Sequence, residues 1–271
     1  MGFKNSVEKG FTENGLPYAK IGDDQNIIVN IEALSFKHEP PSGFALRRFI
    51  KSATPFLQNY TVFLIGRKQN VPADYTFTDM AKDYAEIIHI KFKNPVIIMG
   101  ASTGGQIALY LAADHPDVVQ KLIILSAAYR MSEKGAEIET RAAEYFKQGK
   151  YAKTLATIEE MIFSSKIKLA IAKFFTRIFG RLFIGKNEYV NDFITEVRGD
   201  IEMNFKDRLK EIKAPTLVLS GDLDIDYPAE FIRETAEGIP NTQLIFYKGY
   251  SHRLAAKWKL VQKDILEFLK E

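Results

Sequence analysis

Cysteine is absent from this chain of 271 residues, which excludes a disulfide framework, a thiolate metal site and a cysteine nucleophile. Charge of one sign is also scarce: 37 Lys and Arg against 34 Asp and Glu leave a formal net charge of +3. Phosphate binding needs clustered rather than dispersed cations, so nucleic acid is not an expected partner. No stretch approaches the roughly 20 consecutive apolar residues of a membrane-crossing helix, and no integral membrane segment is expected. Met1 is followed by Gly-Phe-Lys-Asn-Ser-Val-Glu-Lys, without the apolar run of a signal peptide. On those absences a cytoplasmic location is the expectation. Histidine is scarce as well, with four in the chain.

What is present is a hydrophobic content of 46%, enough for one large domain or one domain with an insertion. Val7 to Phe11, the Glu13-Asn14-Gly15 turn and Leu16 to Ile21 read as a hairpin, because Asn-Gly tolerates the positive φ of a tight turn. Six short runs follow: Ile27 to Ile31, Thr61 to Ile65, Pro95 to Met99, Lys121 to Leu125, Thr216 to Ser220 and Thr242 to Tyr247. They are apolar along most of their length, as parallel strands covered on both faces are. Helical patterns lie between them at Phe44 to Leu57, Phe77 to Ile90, Gly104 to Ala113, Pro228 to Glu237 and Arg253 to Leu269, with Thr78 as the expected N-cap of the second. This alternation predicts an α/β fold, a mostly parallel eight-stranded sheet with helices on both faces.

The alternation breaks once. From about Met131 to Lys210 only helical patterns occur, predicting a helical cap at 131–210 inserted into a core formed by 1–130 and 211–271. Ile167, Ile171, Phe174, Ile178 and Leu182 fall at helical spacing, with Lys166, Lys173, Arg177 and Arg181 on another face. That basic face reads as solvated, with contact to an anionic surface as the minority reading. Phe174, Phe175, Phe179 and Phe183 suggest either an apolar acyl pocket or the cap's own core, the core being the commoner use of such spacing.

The most informative stretch is Gly100-Ala101-Ser102-Thr103-Gly104, placed after an apolar strand and before an apolar helix. A turn that lifts a serine above the sheet strains its backbone and brings its neighbours very close, so side chains at Gly100 or Gly104 would collide. The helix that follows aims its positive end at the serine, and the amide of Thr103 becomes a natural oxyanion donor. No Gly-x-Gly-x-x-Gly and no Lys-Ser/Thr pair accompanies these glycines, which argues against dinucleotide and phosphate loops. No cofactor and no metal are expected.

A serine hydroxyl needs a base. His38 lies in an early loop, His89 near a helix end and His115 at a helix stop before Pro116. His252 follows the last strand on a loop at the sheet's C-terminal edge, where catalytic groups of parallel sheets gather, and it alone is delivered to Ser102 by chain position. The base needs an orienting acid. Asp222, Asp224 and Asp226 stand just beyond Thr216 to Ser220; one of them is expected to cap the next helix, and spacing alone does not choose among them.

With these residues in place, the chain resembles the α/β-hydrolase family, in the branch with a helical cap. The order serine, acid, histidine matches that family's order, and the resemblance runs over nearly the whole chain. Asn14-Gly15-Leu16-Pro17-Tyr18 resembles its opening hairpin, and Ala214 to Gly221 followed by Asp224 resembles its acid loop, where the acid stands three after the glycine. The resemblance thus implies Asp224 as the acid, and Gly249-x-x-His252 matches the histidine loop. It also implies a second oxyanion amide, here Leu34 in Asn30-Ile31-Glu32-Ala33-Leu34. Two departures stand out: Glu32-Ala33 replaces the usual His-Gly, and Gly66-Arg67-Lys68-Gln69-Asn70 lacks the usual aspartate and glycines. The implied activity is hydrolysis of an ester or related acyl bond in a small molecule with an apolar acyl part. Thioester, carbon–carbon or peptide cleavage share the machinery. The departures keep a second reading open, a weak or inactive binding or regulatory protein on this fold.

Overall fold

The computed structural model describes residues 6–163, 165–184 and 189–271, with side chains described except at 178–184, 255 and 258. One eight-stranded sheet organises the chain: β1 (Glu8–Phe11), β2 (Pro17–Ile21), β3 (Ile27–Ile31), β4 (Thr61–Ile65), β5 (Val96–Ala101), β6 (Val119–Leu125), β7 (Thr216–Gly221) and β8 (Thr242–Tyr247). Its order is β1-β2-β4-β3-β5-β6-β7-β8. The expected hairpin pairs β1 with β2 antiparallel, β2 pairs antiparallel with β4, and all later pairings are parallel.

Side chains alternate across the strands, so the sheet has two buried faces. Ile98, Ile124 and Val218 face α2 (Phe77–Lys91), α3 (Thr103–Asp114) and α8 (Ala229–Gly238). Ile97, Ile123, Leu217 and Leu219 face α1 (Gly43–Ala53) and α9 (Trp258–Phe268). Because β3 sits between β4 and β5, the chain reverses direction across the sheet there. The loops leaving the C-terminal ends of β3 and β5 therefore flank one crevice.

Three of the differences from the expected helix boundaries have a local physical reason. The cap of α2 is Thr76: its hydroxyl accepts from the Asp79 amide, and the Asp79 carboxylate accepts from the Thr76 amide. Asp79 at the third helical position makes Thr76 rather than Thr78 the reciprocal partner. Helix α1 passes into a 3-10 turn at Thr54–Phe56, since Pro55 has no amide to continue the ladder. The last helical pattern splits at Lys257 into a turn at His252–Ala256 and then α9.

Between β6 and β7 run four helices, α4 (Glu133–Lys147), α5 (Tyr151–Ile162), α6 (Lys166–Ile184) and α7 (Val190–Glu202). Ser132 caps α4 by accepting from the Gly135 amide at 3.0 Å. The face of α6 that meets α5 is polar: Lys173 pairs with Glu160 at 2.8 Å, and the buried Thr176 donates to Glu159. Phe174 and Phe175 consequently point outward and are mostly exposed, so they are neither insertion core nor acyl pocket. The side chains of Phe179 and Phe183 lie outside the described residues. Among the described residues no helix is long and apolar enough to cross a membrane.

Candidate active site

Strand β5 delivers Ser102 through a backbone that few L-residues adopt, with φ 53° and ψ −130°. Its amide donates to Leu125 O on β6 at 3.1 Å, and its carbonyl accepts from Gly105 N at 2.8 Å. The turn is thereby held from both sides, and such strain persists only where the surroundings over-determine it. The flanking glycines are there for contact. A Cβ at Gly100 would stand 2.3 Å from Gly104 O, and one at Gly104 would stand 2.4 Å from Ile31 O at the end of β3. Strand β5, helix α3 and the β3 loop are packed backbone to backbone.

His252, just past β8, places Nε2 3.1 Å from Ser102 Oγ. Its Nδ1 lies 3.0 Å from Asp224 Oδ2. Of the three aspartates after β7, Asp226 approaches Nδ1 only to 3.6 Å, and Asp222 instead accepts from Gly249 N at 2.6 Å. None of them caps α8, whose N-cap is Pro228 with no side-chain bond. Asp224 spends its second oxygen on its own loop, accepting from the amides of Asp226 and Tyr227 at 3.0 and 3.2 Å. One oxygen fixes the loop and the other fixes the imidazole. Burial opposes charge on His252, but the Asp224 carboxylate and its hydrogen bond outweigh it, with Asp226 and Asp200 adding, and the imidazole rises to about 9.

The amide of Thr103 opens α3 and has no intrahelical acceptor. The geometry of the Leu34 amide is set by Arg67. This guanidinium, buried after β4, donates to Ala33 O at 2.9 Å and also to Glu32 O. Ala33 C=O and Leu34 N–H belong to one planar trans peptide, so holding the carbonyl on one side directs the N–H to the other. Arg67 is itself held by Glu196 of α7, whose carboxylate takes Nε at 2.8 Å and a second bond from the terminal nitrogen. Glu196 further accepts from Ser35 N at 3.3 Å and pairs with buried His38, whose Nδ1 lies 2.7 Å from Lys68 O. Burial raises the Glu196 carboxyl, yet Arg67 and His38 bring it below its ordinary value. The two departures from the family's pattern are thus one device: the loop lacking aspartate and glycine supplies the arginine that clamps the loop lacking His-Gly. His38, passed over as a base, is part of that clamp, whereas His89 is exposed beside Asp117.

A wall of acids lies next to His252. Glu139 from α4, Asp200 from α7, and Asp226 and Tyr227 after β7 are all buried. Thr103 Oγ1 donates to Asp200 Oδ2 at 2.6 Å. Burial, reinforced by neighbouring carboxylates, pushes Glu139 and Asp200 well above the ordinary range. Burial and Asp224 lift Asp226 to about 7 against the pull of His252. Glu32 is lifted to about 7, chiefly by burial, and its carboxyl sits against Gly66. Burial thus opposes negative charge on all four carboxyls near the place where an oxyanion would form. Asp224, Asp226 and His252 also bring ligand atoms within 4.8 Å of one another. The imidazole already engages Ser102 at Nε2 and Asp224 at Nδ1, which leaves neither ring nitrogen free for a metal.

A family model described as serine aminopeptidase, S33, matches residues 66–256. The chain belongs to this family of α/β hydrolases. The S33 chain is 29% identical over 191 residues to the AB hydrolase superfamily protein YisY of Bacillus subtilis, covering 66% of this chain and 67% of that one. It is 23% identical over 228 residues to the bifunctional esterase/perhydrolase DCH of Acinetobacter calcoaceticus, covering 76% and 78%. Among solved structures it is similar to a hydrolase from Pseudomonas aeruginosa, with a TM-score of 0.78 at 17% identity over 99% of this chain and 100% of that one.

Sequence reasoning brought Ser102, His252 and Asp224 to one place, and the structure brings them into bonding distance. It missed Arg67, Glu196, Glu139 and Asp200. Arg67 carried a signal, since it stands in a loop that breaks the family's pattern. Glu139, Glu196 and Asp200 carried none, because helices between β6 and β7 that pack by tertiary contact have no motif to read.

Proposed function

We propose that this S33-family hydrolase cleaves an ester or related acyl bond of a small molecule through an acyl-enzyme on Ser102. The observation that carries the reading is the continuous relay Ser102 Oγ to His252 Nε2 at 3.1 Å and His252 Nδ1 to Asp224 Oδ2 at 3.0 Å. Neutral His252 accepts the Ser102 proton as Oγ attacks the carbonyl carbon, and Asp224 steadies the imidazolium that results. The oxyanion is held by the amides of Thr103 and Leu34. On collapse, His252 returns its proton to the departing oxygen. Water then attacks the acyl-enzyme by the same route and frees Ser102.

The altered oxyanion loop motivated the reading as an inactive binding protein; the Arg67 clamp supplies a reason for that loop to be ordered. A panel of p-nitrophenyl esters of graded chain length tests the proposal, extended to thioesters and aminoacyl p-nitroanilides. Turnover of an ester that disappears in Ser102→Ala is expected. Unchanged turnover in that variant overturns the assignment, and preference for the anilides moves it to peptide-type bonds.

A further inference from the structure

We infer that the outer face of α6 is a docking surface for an anionic lipid membrane. Ile167, Ile171, Phe174 and Phe175 are 74%, 53%, 61% and 55% exposed. Their spacing places all four on one stripe about 100° wide, the width with which an amphipathic helix normally meets a core. Among the described residues the stripe meets none. The opposite side of α6 is held to α5 by Lys173 with Glu160 and Thr176 with Glu159, which fixes the stripe outward.

Charge decides what covers it. From Lys166 to Lys186 the sequence has six Lys and Arg and no Asp or Glu, although the rest of the chain is net negative. Lys166 and Arg177 flank the stripe on one side and Lys168 on the other, all exposed. Cations bordering an apolar stripe on both sides suit a helix lying in the interfacial plane: apolar side chains enter the acyl boundary while the flanking cations reach headgroup phosphates. A second copy of this chain is a poor occupant, because a two-fold contact would set these cations against their own copies.

The segment leading into α6 touches the loop that carries His252. Ser251, beside His252, donates to Ile162 O at the end of α5 with an oxygen–oxygen distance of 3.1 Å. Arg253 lies over the ring of Phe163 at 5.3 Å. Docking itself requires no turnover.

The test is vesicle flotation of the full chain with phosphatidylcholine alone and with phosphatidylcholine mixed with phosphatidylglycerol. Binding is expected to the mixed vesicles only, to weaken as salt rises, and to be equal in Ser102→Ala. Phe174→Ser with Phe175→Ser, and separately Lys166→Glu with Lys168→Glu, should each weaken it about tenfold or more. These side chains are exposed, so an unchanged thermal melt is the check on folding. Failure to float with the mixed vesicles overturns the inference, as does equal binding to neutral ones. A wild-type dimer that the phenylalanine variant converts to a monomer overturns it in favour of self-association.

Discussion

Arg67 reaches across two neighbouring loops to donate to the carbonyl of Ala33 at 2.9 Å, and through that one peptide plane it sets the direction of the Leu34 amide. Substitution of Arg67 should therefore act on the oxyanion site without touching substrate. Losing an oxyanion donor outright costs about 10²- to 10³-fold in kcat, so Arg67→Lys, which keeps charge but not the fork, should lower kcat by up to about 100-fold with KM little changed. Arg67→Ala should also unfold more easily, by roughly 3–5 kcal/mol, because Glu196 is left as a buried, underpaired charge. Steady-state kinetics with a thermal melt on each variant checks both; a rise in KM at constant kcat would contradict the clamp.

The glycines of the elbow make a steric prediction. Gly104→Ala puts a methyl 2.4 Å from Ile31 O, against rigid backbone with no side chain to swing away. Overpacking of this kind costs about 1–3 kcal/mol, and the displaced β3 end carries the Leu34 loop. Loss of activity should therefore exceed the loss of stability, measured by turnover below the melting transition. An alanine variant with wild-type turnover would show that the close contact is not needed.

The sheet was legible because each strand is a short apolar run between turn residues, and β3, β4, β7 and β8 fall within one residue of their expected ends. Ser102 and His252 were legible for a related reason: local chain geometry alone puts them at strand ends. Asp224 needed the family resemblance, since Asp222 and Asp226 have equal local claims. What was not legible depends on contacts far apart in the chain. Arg67 with Glu196 spans 129 residues, and the outward turn of Phe174 follows from Lys173 finding Glu160. A helical pattern shows which side chains share a face, not whether that face is covered.

His252 is expected to titrate above the ordinary histidine range, toward about 9, because Asp224 favours its charged form over the opposing effect of burial. Activity needs the neutral base, so kcat/KM should rise with pH through the alkaline range. An NMR titration of the His252 ring should show Asp224→Asn bringing its pKa down and Asp226→Asn doing so by less. Equal shifts would make Asp226 a full partner in the relay.

Across the neutral range, stability should fall as pH rises. Asp226, lifted to about 7 in the fold, binds a proton that the unfolded chain releases near its ordinary value of 3.8. Between those values the native state holds more protons, so the linkage slope is negative. His252 acts in the same direction: its stabilisation is complete below 6.5 and is lost as pH passes about 9. Asp226→Asn removes the first contribution, on the order of a few kcal/mol at most. Calorimetric melts at pH 5 and pH 8 should show the variant losing less stability between the two than wild type; a larger loss would contradict the sign.

The most direct measurement is covalent labelling by a fluorophosphonate, which reports whether the Ser102 hydroxyl is activated without requiring the natural substrate. Intact mass should show one phosphonyl group per chain, mapped by peptide sequencing to Ser102, with labelling abolished in Ser102→Ala and slowed about 10³-fold or more in His252→Ala. No labelling of the folded wild-type chain, under conditions that label a control serine hydrolase, would contradict the account, as would a label on any other residue.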